Sequence, residues 1–396
     1  MCELRDVFIV GGARTPIGSF LGSLKNFKAT ELGGIAIKEA MARAGVSGGD
    51  VGEVIMGNVV SAGLGQAPAK QAQMKAGIPP TVNSFAVNKV CGSGLKAVEL
   101  AADSIWLERN EIVVAGGMES MSQAPHMTWG VREGVKFGDL KMKDAMIYDG
   151  LWCAFDDHHM GMTGEVIAEK FGATREEQDA YAVSSHQKAL HATEKGYLKE
   201  EIVPVEVPQR KGDPIVFAVD EGPRKDATLE KLAKLRPAFT KEGTVTAGNA
   251  SSLNDGGAAV VVASEDTVKE KNLTPMARIV GTSNNALEPK MVMYAPKGAI
   301  EKLLANVGWR LADVDLFEIN EAFSSQQVVL IKELGLDRDK LNVHGGAVAL
   351  GHPIGASGCR VLITLIYALK HRGLKKGVAS LCLGGGDAVA MAVELV

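Results

Sequence analysis

The chain repeats itself. Ala36, Ile37, Gly45, Asp50 and Val51 recur as Ala299, Ile300, Gly308, Asp313 and Val314, 263 positions further on. Cys91, Ser93 and Gly94 stand 264 positions before Gly355, Ser357 and Gly358. A nearly constant offset carried through helix-, turn- and strand-like stretches marks a duplicated unit. In the first copy, residues 6–10 read as a strand ending in Gly11-Gly12, 30–45 as a helix closed by glycine, and 51–56 as a further strand. Both copies continue into an apolar helix and then a strand ending in glycines, at 112–117 and 378–384. The final strand, 388–395, parallels 258–264, because Gly256-Gly257-Ala258-Ala259-Val260 matches Gly386-Asp387-Ala388-Val389-Ala390. The first copy is therefore interrupted between Met118 and about Asn254. This predicts an α/β chain of two related halves with a large insertion, which holds an amphipathic helix over 174–188 opened by Thr174-Arg175-Glu176-Glu177. Rooted at a strand end, the insertion is placed to cover a site, to mediate oligomer contacts, or both.

With 396 residues, 46% of them hydrophobic and 23% charged, the chain has material for two or three packed units. A formal net charge of −4 with scattered Lys and Arg gives no basic face, so nucleic acid is not an expected partner. The start, Met1-Cys2-Glu3-Leu4-Arg5-Asp6, lacks the basic and apolar pattern of a secretion signal, and the end, Val393-Glu394-Leu395-Val396, lacks a peroxisomal tripeptide. The longest strongly apolar run, 361–369, is far too short to span a membrane and reads as a core helix. Cys2, Cys91, Cys153, Cys359 and Cys382 are odd in number and far apart, which suits free thiols in a reducing cytoplasm.

Chemistry concentrates at Asn88-Lys89-Val90-Cys91-Gly92-Ser93-Gly94-Leu95. Leu95, Val98, Ala101, Ala102 and Ile105 follow at helical spacing, so Cys91 falls at a helix N-terminus. Free amides and the helix dipole there favour a thiolate, which predicts a lowered thiol pKa. The glycines leave amides free for an oxyanion. The composition fits a nucleophile; a small buried cysteine is the alternative. In the second copy, Asn320-Glu321-Ala322-Phe323 follows a strand over 314–319. His352 lies on the Gly-rich loop Gly351-His352-Pro353-Ile354-Gly355-Ala356-Ser357-Gly358, and Cys382-Leu383-Gly384-Gly385-Gly386 sets a second thiol at a strand end. If the halves pack about a pseudo-twofold axis, Cys91, His352 and Cys382 converge.

These motifs, in this order and with Thr246-Ala247-Gly248-Asn249-Ala250-Ser251 between them, resemble those of the thiolases, in particular their short-chain acetyl-CoA acetyltransferase branch. The resemblance runs from Val7 to the last strand. It implies a layered α-β-α-β-α core, with 1–117 plus 246–272 as the N-terminal half, 118–245 as an inserted loop domain over the coenzyme A site, and 273–396 as the C-terminal half. The implied reaction is a reversible Claisen condensation of two acetyl-CoA molecules to acetoacetyl-CoA and CoA, through an acetyl-cysteine. Carried over, Cys91 is the nucleophile, His352 its activator, Asn320 the holder of a water at the enolate oxygen, and Cys382 the acid/base; the amides of Cys91 and Gly384 bind the tetrahedral oxyanion. Leu151, Phe239, Ala247, Ser251 and Phe323 line the substrate tunnel, with His159 and Met160 at the acyl and pantetheine pocket. Arg224 aligns near the CoA adenine and phosphates, where a solvated surface charge is the alternative. No cofactor is implied beyond coenzyme A as substrate and product.

Three positions depart from the family pattern. Met291-Val292-Met293-Tyr294-Ala295-Pro296 replaces a Met-Gly-x-Gly-Pro loop, which bears on acyl-chain length; Ser252 stands for a common glycine and Lys231 for a small residue. Asp156-Asp157-His158-His159 does not read as a metal site, since consecutive side chains diverge and no distant Cys/His set accompanies them. Met118, Met121, Met127 and Trp129, in a loop-like region over 118–145, read as core or, by the resemblance, as part of the contact that joins dimers into a homotetramer. The competing functions are a degradative 3-ketoacyl-CoA thiolase of broader chain length, a decarboxylating ketosynthase, and a non-catalytic acyl-CoA-binding scaffold.

Overall fold

The computed structural model describes residues 5–396; Cys2 and the rest of the first four residues lie outside it. The first half contributes β1 (Val7–Arg14), α1 (Ala29–Ala44), β2 (Glu53–Gly57), β3 (Asn83–Val87), α2 (Ser93–Trp106), β4 (Ile112–Ser120) and, beyond the insertion, β5 (Asn254–Ser264). Within the insertion are α3 (Gly161–Phe171) and α4 (Arg175–Glu194). The second half contributes β6 (Ala277–Ala286), α5 (Ala295–Val307), β7 (Leu316–Ile319), α6 (Ser324–Leu334), α7 (Ile354–Arg372), β8 (Lys376–Leu383) and β9 (Asp387–Leu395).

The strand order β7-β8-β9-β6-β1-β5-β4-β2-β3 displays the duplication. β1, β5, β4 and β2 of one half correspond to β6, β9, β8 and β7 of the other. The halves join through two antiparallel pairs, Phe8 with Arg278 and Ile9 with Ala277. Where the first half has β3, the second keeps only a bridge between Phe317 and Leu341. The repeat extends to detail. Gly45 and Gly308 close α1 and α5 in the left-handed conformation, with φ of 68° and 71°. Register shifts fall between Ile9 and Gly11 in one half and between Ile279 and Gly281 in the other.

The inner strands are covered on both faces, so β1, β4, β5, β8 and β9 are buried almost throughout, whereas the edge strand β3 is largely exposed. Along β5, Ala258, Val260 and Val262 face a central cluster with α2 and α7, while Ala259, Val261 and Ala263 face a cluster with α1. In β8, Leu381 faces the central cluster, and Val378 and Cys382 face a third with α5 and α6. The result is the α-β-α-β-α layering. α2 and α7 cross in the middle, where a side chain at Gly94 would come within 2.7 Å of the Cys359 backbone nitrogen, and one at Gly358 would strike that of Leu95. The contact is reciprocal, since Gly94 and Gly358, like Leu95 and Cys359, are repeat equivalents.

Some boundaries differ from the sequence reading. β1 continues through Gly11-Gly12 to Arg14, because β5 pairs with it throughout. Gly11 is there because α1 packs so closely that a Cβ would lie 2.5 Å from the Ala40 carbonyl oxygen. β4 runs to Ser120, past the expected root of the insertion at Met118. Residues 118–145 divide: Met118 and Met121 are buried, whereas Trp129, Val131, Val135, Phe137 and Met142 are exposed. α4 is longer than expected, and its capping box forms, with the Glu177 amide donating to Thr174 Oγ1 and the Thr174 amide to Glu177 Oε2.

Buried polar groups fasten the insertion to both halves. Arg14 pairs with Glu201 at 2.7 Å and Asp220 at 2.7 Å. Glu321 accepts from Tyr181 Oη and Ser185 Oγ on α4, both at 2.7 Å. No helix among the described residues is long and apolar enough to cross a membrane.

Candidate active site

Cys91 sits on a strained turn. Val90, β-branched, has a φ of 45°, a conformation that costs such a residue about 1–3 kcal/mol. The sequence explains how it is held: Asn88 Oδ1 accepts from the Val90 amide at 3.0 Å, and Ser93 Oγ accepts from the Lys89 amide at 2.9 Å and donates to the Val90 carbonyl at 2.6 Å. The turn delivers Cys91 immediately before Gly92, the N-cap of α2. The backbone amides of Gly384 and Cys91 both point at the Cys91 sulfur. The expected lowering of its pKa does not occur. Burial outweighs the amides and pushes the thiol up to about 11, with nearby Glu119 adding to the rise. Cys91 is therefore a thiol at rest and needs a base.

The candidate base is His352. Asn254 Oδ1 accepts from its backbone amide at 2.9 Å. Its Nδ1 lies 2.6 Å from Ser357 Oγ, whose own proton goes to the Pro353 carbonyl at 2.9 Å. Ser357 must then accept, so Nδ1 carries the proton and Nε2 presents a lone pair. Burial, reinforced by Arg360, holds the ring's pKa down to about 3, keeping it neutral.

Asn320, at the end of β7, stands behind the imidazole. Its Nδ2 is 3.4 Å from His352 Nε2, and its Oδ1 accepts from Arg360 Nη2 at 3.4 Å. Arg360 is itself paired with Glu318 at 3.1 Å, both buried. Cys382, at the end of β8, has Met293 Sδ at 3.7 Å and Gln326 Oε1 at 3.6 Å. Burial pushes its thiol far up, and Cys91 contributes to the rise.

Cys91, His352, Cys382 and Gly384 line one cavity of about 340 Å³, together with Leu151, His159, Met160, Phe239, Ala247, Ser251 and Phe323. Asn320 is one layer back, and Arg224 lines a second cavity that shares Ala247, Ala250, Ser252 and Leu253 with the first. The first is apolar around the thiols; the second, across those shared residues, is polar and has Arg224 and Lys231 in its lining. Lys231 is salt-bridged to Asp226 at 3.0 Å on the surface. The departures take definite positions: Val292 and Met293 line the thiol end, and Ser252 Oγ donates to Asn254 Oδ1, the atom that holds the His352 amide.

Sequence reasoning missed the supports. Glu119 accepts from Asn58 Nδ2 and from the amides of Val59, Val60 and Gly355, which clamps the start of α7 to the first half. Burial raises its pKa to about 7 against those donors. Arg360, Ser357 and Gln326 had no signal except their places in the repeat helix and on α6. The side chains of 156–159 spread as their sequence adjacency predicts. His158 and His159 do diverge, and His159 stacks on Phe239 in the cavity at 4.9 Å between centroids. No distant Cys/His set joins them; a near neighbour, Cys153, has its ligand atom within 4.8 Å of those of Asp156 and His158.

Residues 7–266 match the thiolase N-terminal domain family and 273–395 the thiolase C-terminal domain family. The chain is 54% identical over 391 residues to an acetyl-CoA acetyltransferase of Cupriavidus necator, covering 99% of this chain and 100% of that protein. It is 51% identical over 388 residues to one from Pseudomonas aeruginosa, at 98% and 99% coverage. The crystal structure of the Bacillus anthracis acetyl-CoA acetyltransferase superposes with a TM-score of 0.97 at 45% identity, with both chains fully covered.

Proposed function

The chain belongs to the thiolase family, and on that footing we propose that it is an acetyl-CoA C-acetyltransferase. It joins two acetyl-CoA molecules into acetoacetyl-CoA and CoA, and runs the reverse thiolysis. The observation that carries this reading is the meeting of two thiols and an imidazole, drawn from both halves, around one apolar cavity.

In the first half-reaction, His352 Nε2 takes the Cys91 proton as the sulfur attacks the thioester carbonyl. The tetrahedral oxyanion lies against the amides of Cys91 and Gly384. The carbon–sulfur bond to CoA breaks, and the departing sulfur takes the Cys382 proton. Acetyl-Cys91, an imidazolium and a Cys382 thiolate remain. In the second, that thiolate removes the α-proton of a new acetyl-CoA while His352 Nε2–H and a water on Asn320 hold the enolate oxygen. The carbanion attacks acetyl-Cys91, and the released Cys91 sulfur recovers its proton from His352. Both thiols and the neutral imidazole are thereby restored.

Arg224 and the polar cavity suit the nucleotide end of CoA, and the 118–245 segment serves as its cover. No cofactor is required beyond CoA itself. The exposed apolar side chains over 129–142 suit a contact joining dimers into a homotetramer, which sedimentation of a lone monomer would rule out. A cytoplasmic location fits the free thiols. The deciding assay is steady-state thiolysis across a ladder of 3-ketoacyl-CoA lengths. Preference for acetoacetyl-CoA supports the proposal, preference for long chains supports a degradative thiolase, and no turnover supports a scaffold.

A further inference from the structure

Among the described residues, one group of side chains, outside the catalytic cavity, has the composition of a metal centre. Trp152–Cys153 and His158–His159 form a two-stranded hairpin in which Cys153 lies directly opposite His158. The turn between them is set by Asp157 at φ 50°, with its Oδ1 held by Trp152 Nε1 at 2.9 Å. The turn carries Asp156 back over the cysteine, Sγ to Oδ2 being 3.4 Å, and the Asp156 amide donates to the same sulfur at 3.4 Å. The Nε2 atom of His158 is buried without a hydrogen-bond partner, an arrangement that costs stability unless something fills it.

We propose that Cys153, Asp156 and His158 bind a borderline-soft divalent transition-metal ion of the zinc type. One thiolate, one carboxylate and one imidazole are the donors such an ion takes, with the fourth position left to solvent. Around tetrahedral zinc, bond lengths of about 2.0–2.3 Å put neighbouring donors roughly 3.4–3.6 Å apart. The sulfur and carboxylate already match at 3.4 Å, the whole set lies within 4.8 Å, and Asp156 is exposed and free to adjust. On binding, the Cys153 thiol proton leaves to solvent and a metal–sulfur bond takes its place. An all-oxygen ion such as magnesium or calcium has no use for the cysteine. The ion is not part of the acyl-transfer chemistry. Its consequence is mechanical, because the same strand carries His159 and leads into Met160 of the substrate cavity, so the metal pins that wall from behind.

The test is titration of the full-length reduced protein with cobalt(II), a spectroscopic stand-in for zinc. One equivalent is expected to give a sulfur-to-cobalt charge-transfer band in the near ultraviolet, which zinc then displaces. Cys153→Ala removes the band. Asp156→Asn, a change at an exposed position, weakens the affinity by at least about the 10–100-fold seen when a metal site loses an orienting partner. Cys91→Ser and Cys382→Ser leave the band intact. Absence of a one-equivalent band in the unaltered protein, its persistence in Cys153→Ala, full cobalt affinity in Asp156→Asn, or its loss in Cys91→Ser would each overturn the assignment.

Discussion

Ser357 Oγ lies 2.6 Å from His352 Nδ1 and can only accept from it, because its own proton is given to the Pro353 carbonyl. One hydroxyl thereby decides which face of the imidazole is basic. Ser357→Ala removes that decision and keeps the helix. The expected outcome is a kcat about 10–100-fold lower with KM little changed, less than the roughly 10²–10⁴ attached to losing a general base outright. Steady-state kinetics of acetoacetyl-CoA thiolysis checks this; an unchanged kcat would separate Ser357 from catalysis.

Asn320 Oδ1 accepts from Arg360, which is also bonded to buried Glu318. Arg360→Met leaves buried Glu318 and Asn320 Oδ1 without their donor, a loss that typically costs about 1–3 kcal/mol. Glu318, already raised to about 8 by burial, is pushed further up once the guanidinium is gone. The double variant Glu318→Gln/Arg360→Met is expected to regain most of the stability but not the activity, since the Asn320 amide is no longer held. Denaturant melts alongside kcat separate the two effects; recovery of both would show Arg360 to be structural only.

Acid sensitivity has an identifiable source away from the site. His344 stacks on Tyr197, and burial holds its pKa at about 3, so it stays neutral while folded. Between that value and the ordinary 6.5, the unfolded chain takes up a proton that the folded chain refuses. Stability is complete above pH 6.5 and is lost as pH falls toward 3. At pH 4.5 the loss from this residue is roughly 2–3 kcal/mol. His344→Phe should narrow the gap in thermal midpoint between pH 7 and pH 4.5; an unchanged gap would assign the sensitivity elsewhere.

Met293 closes the cavity beside Cys382. Met293→Ala opens that end, at a stability cost of about 2–5 kcal/mol. The kcat/KM ratio of a six-carbon over the four-carbon 3-ketoacyl-CoA is expected to rise roughly tenfold, in keeping with the 1–3 kcal/mol attached to a methylene in an apolar pocket. A constant ratio would place the length limit on another wall.

The duplication was readable because glycines and small residues recur at fixed offset, and it foretold that Cys91, His352 and Cys382 share a cavity. The ends of β1 and β4 were not readable, because glycine serves there to admit α1, not to stop the strand. The acidity of Cys91 was misjudged, because position at a helix start is visible in sequence and burial is not. Glu119, Arg360 and Ser357 act through partners whose proximity only the fold creates. That Cys153 faces His158 across a hairpin is likewise a product of the fold.

The central claim is that Cys91 carries the acetyl group while Cys382 moves protons. Intact-mass measurement after brief exposure to acetyl-CoA tests it most directly. The unaltered protein and Cys382→Ala should each gain one acetyl group, mapped to the peptide holding Cys91, whereas Cys91→Ala gains none. An acetyl group appearing on Cys91→Ala, or mapped to Cys382 in the unaltered protein, would contradict the account.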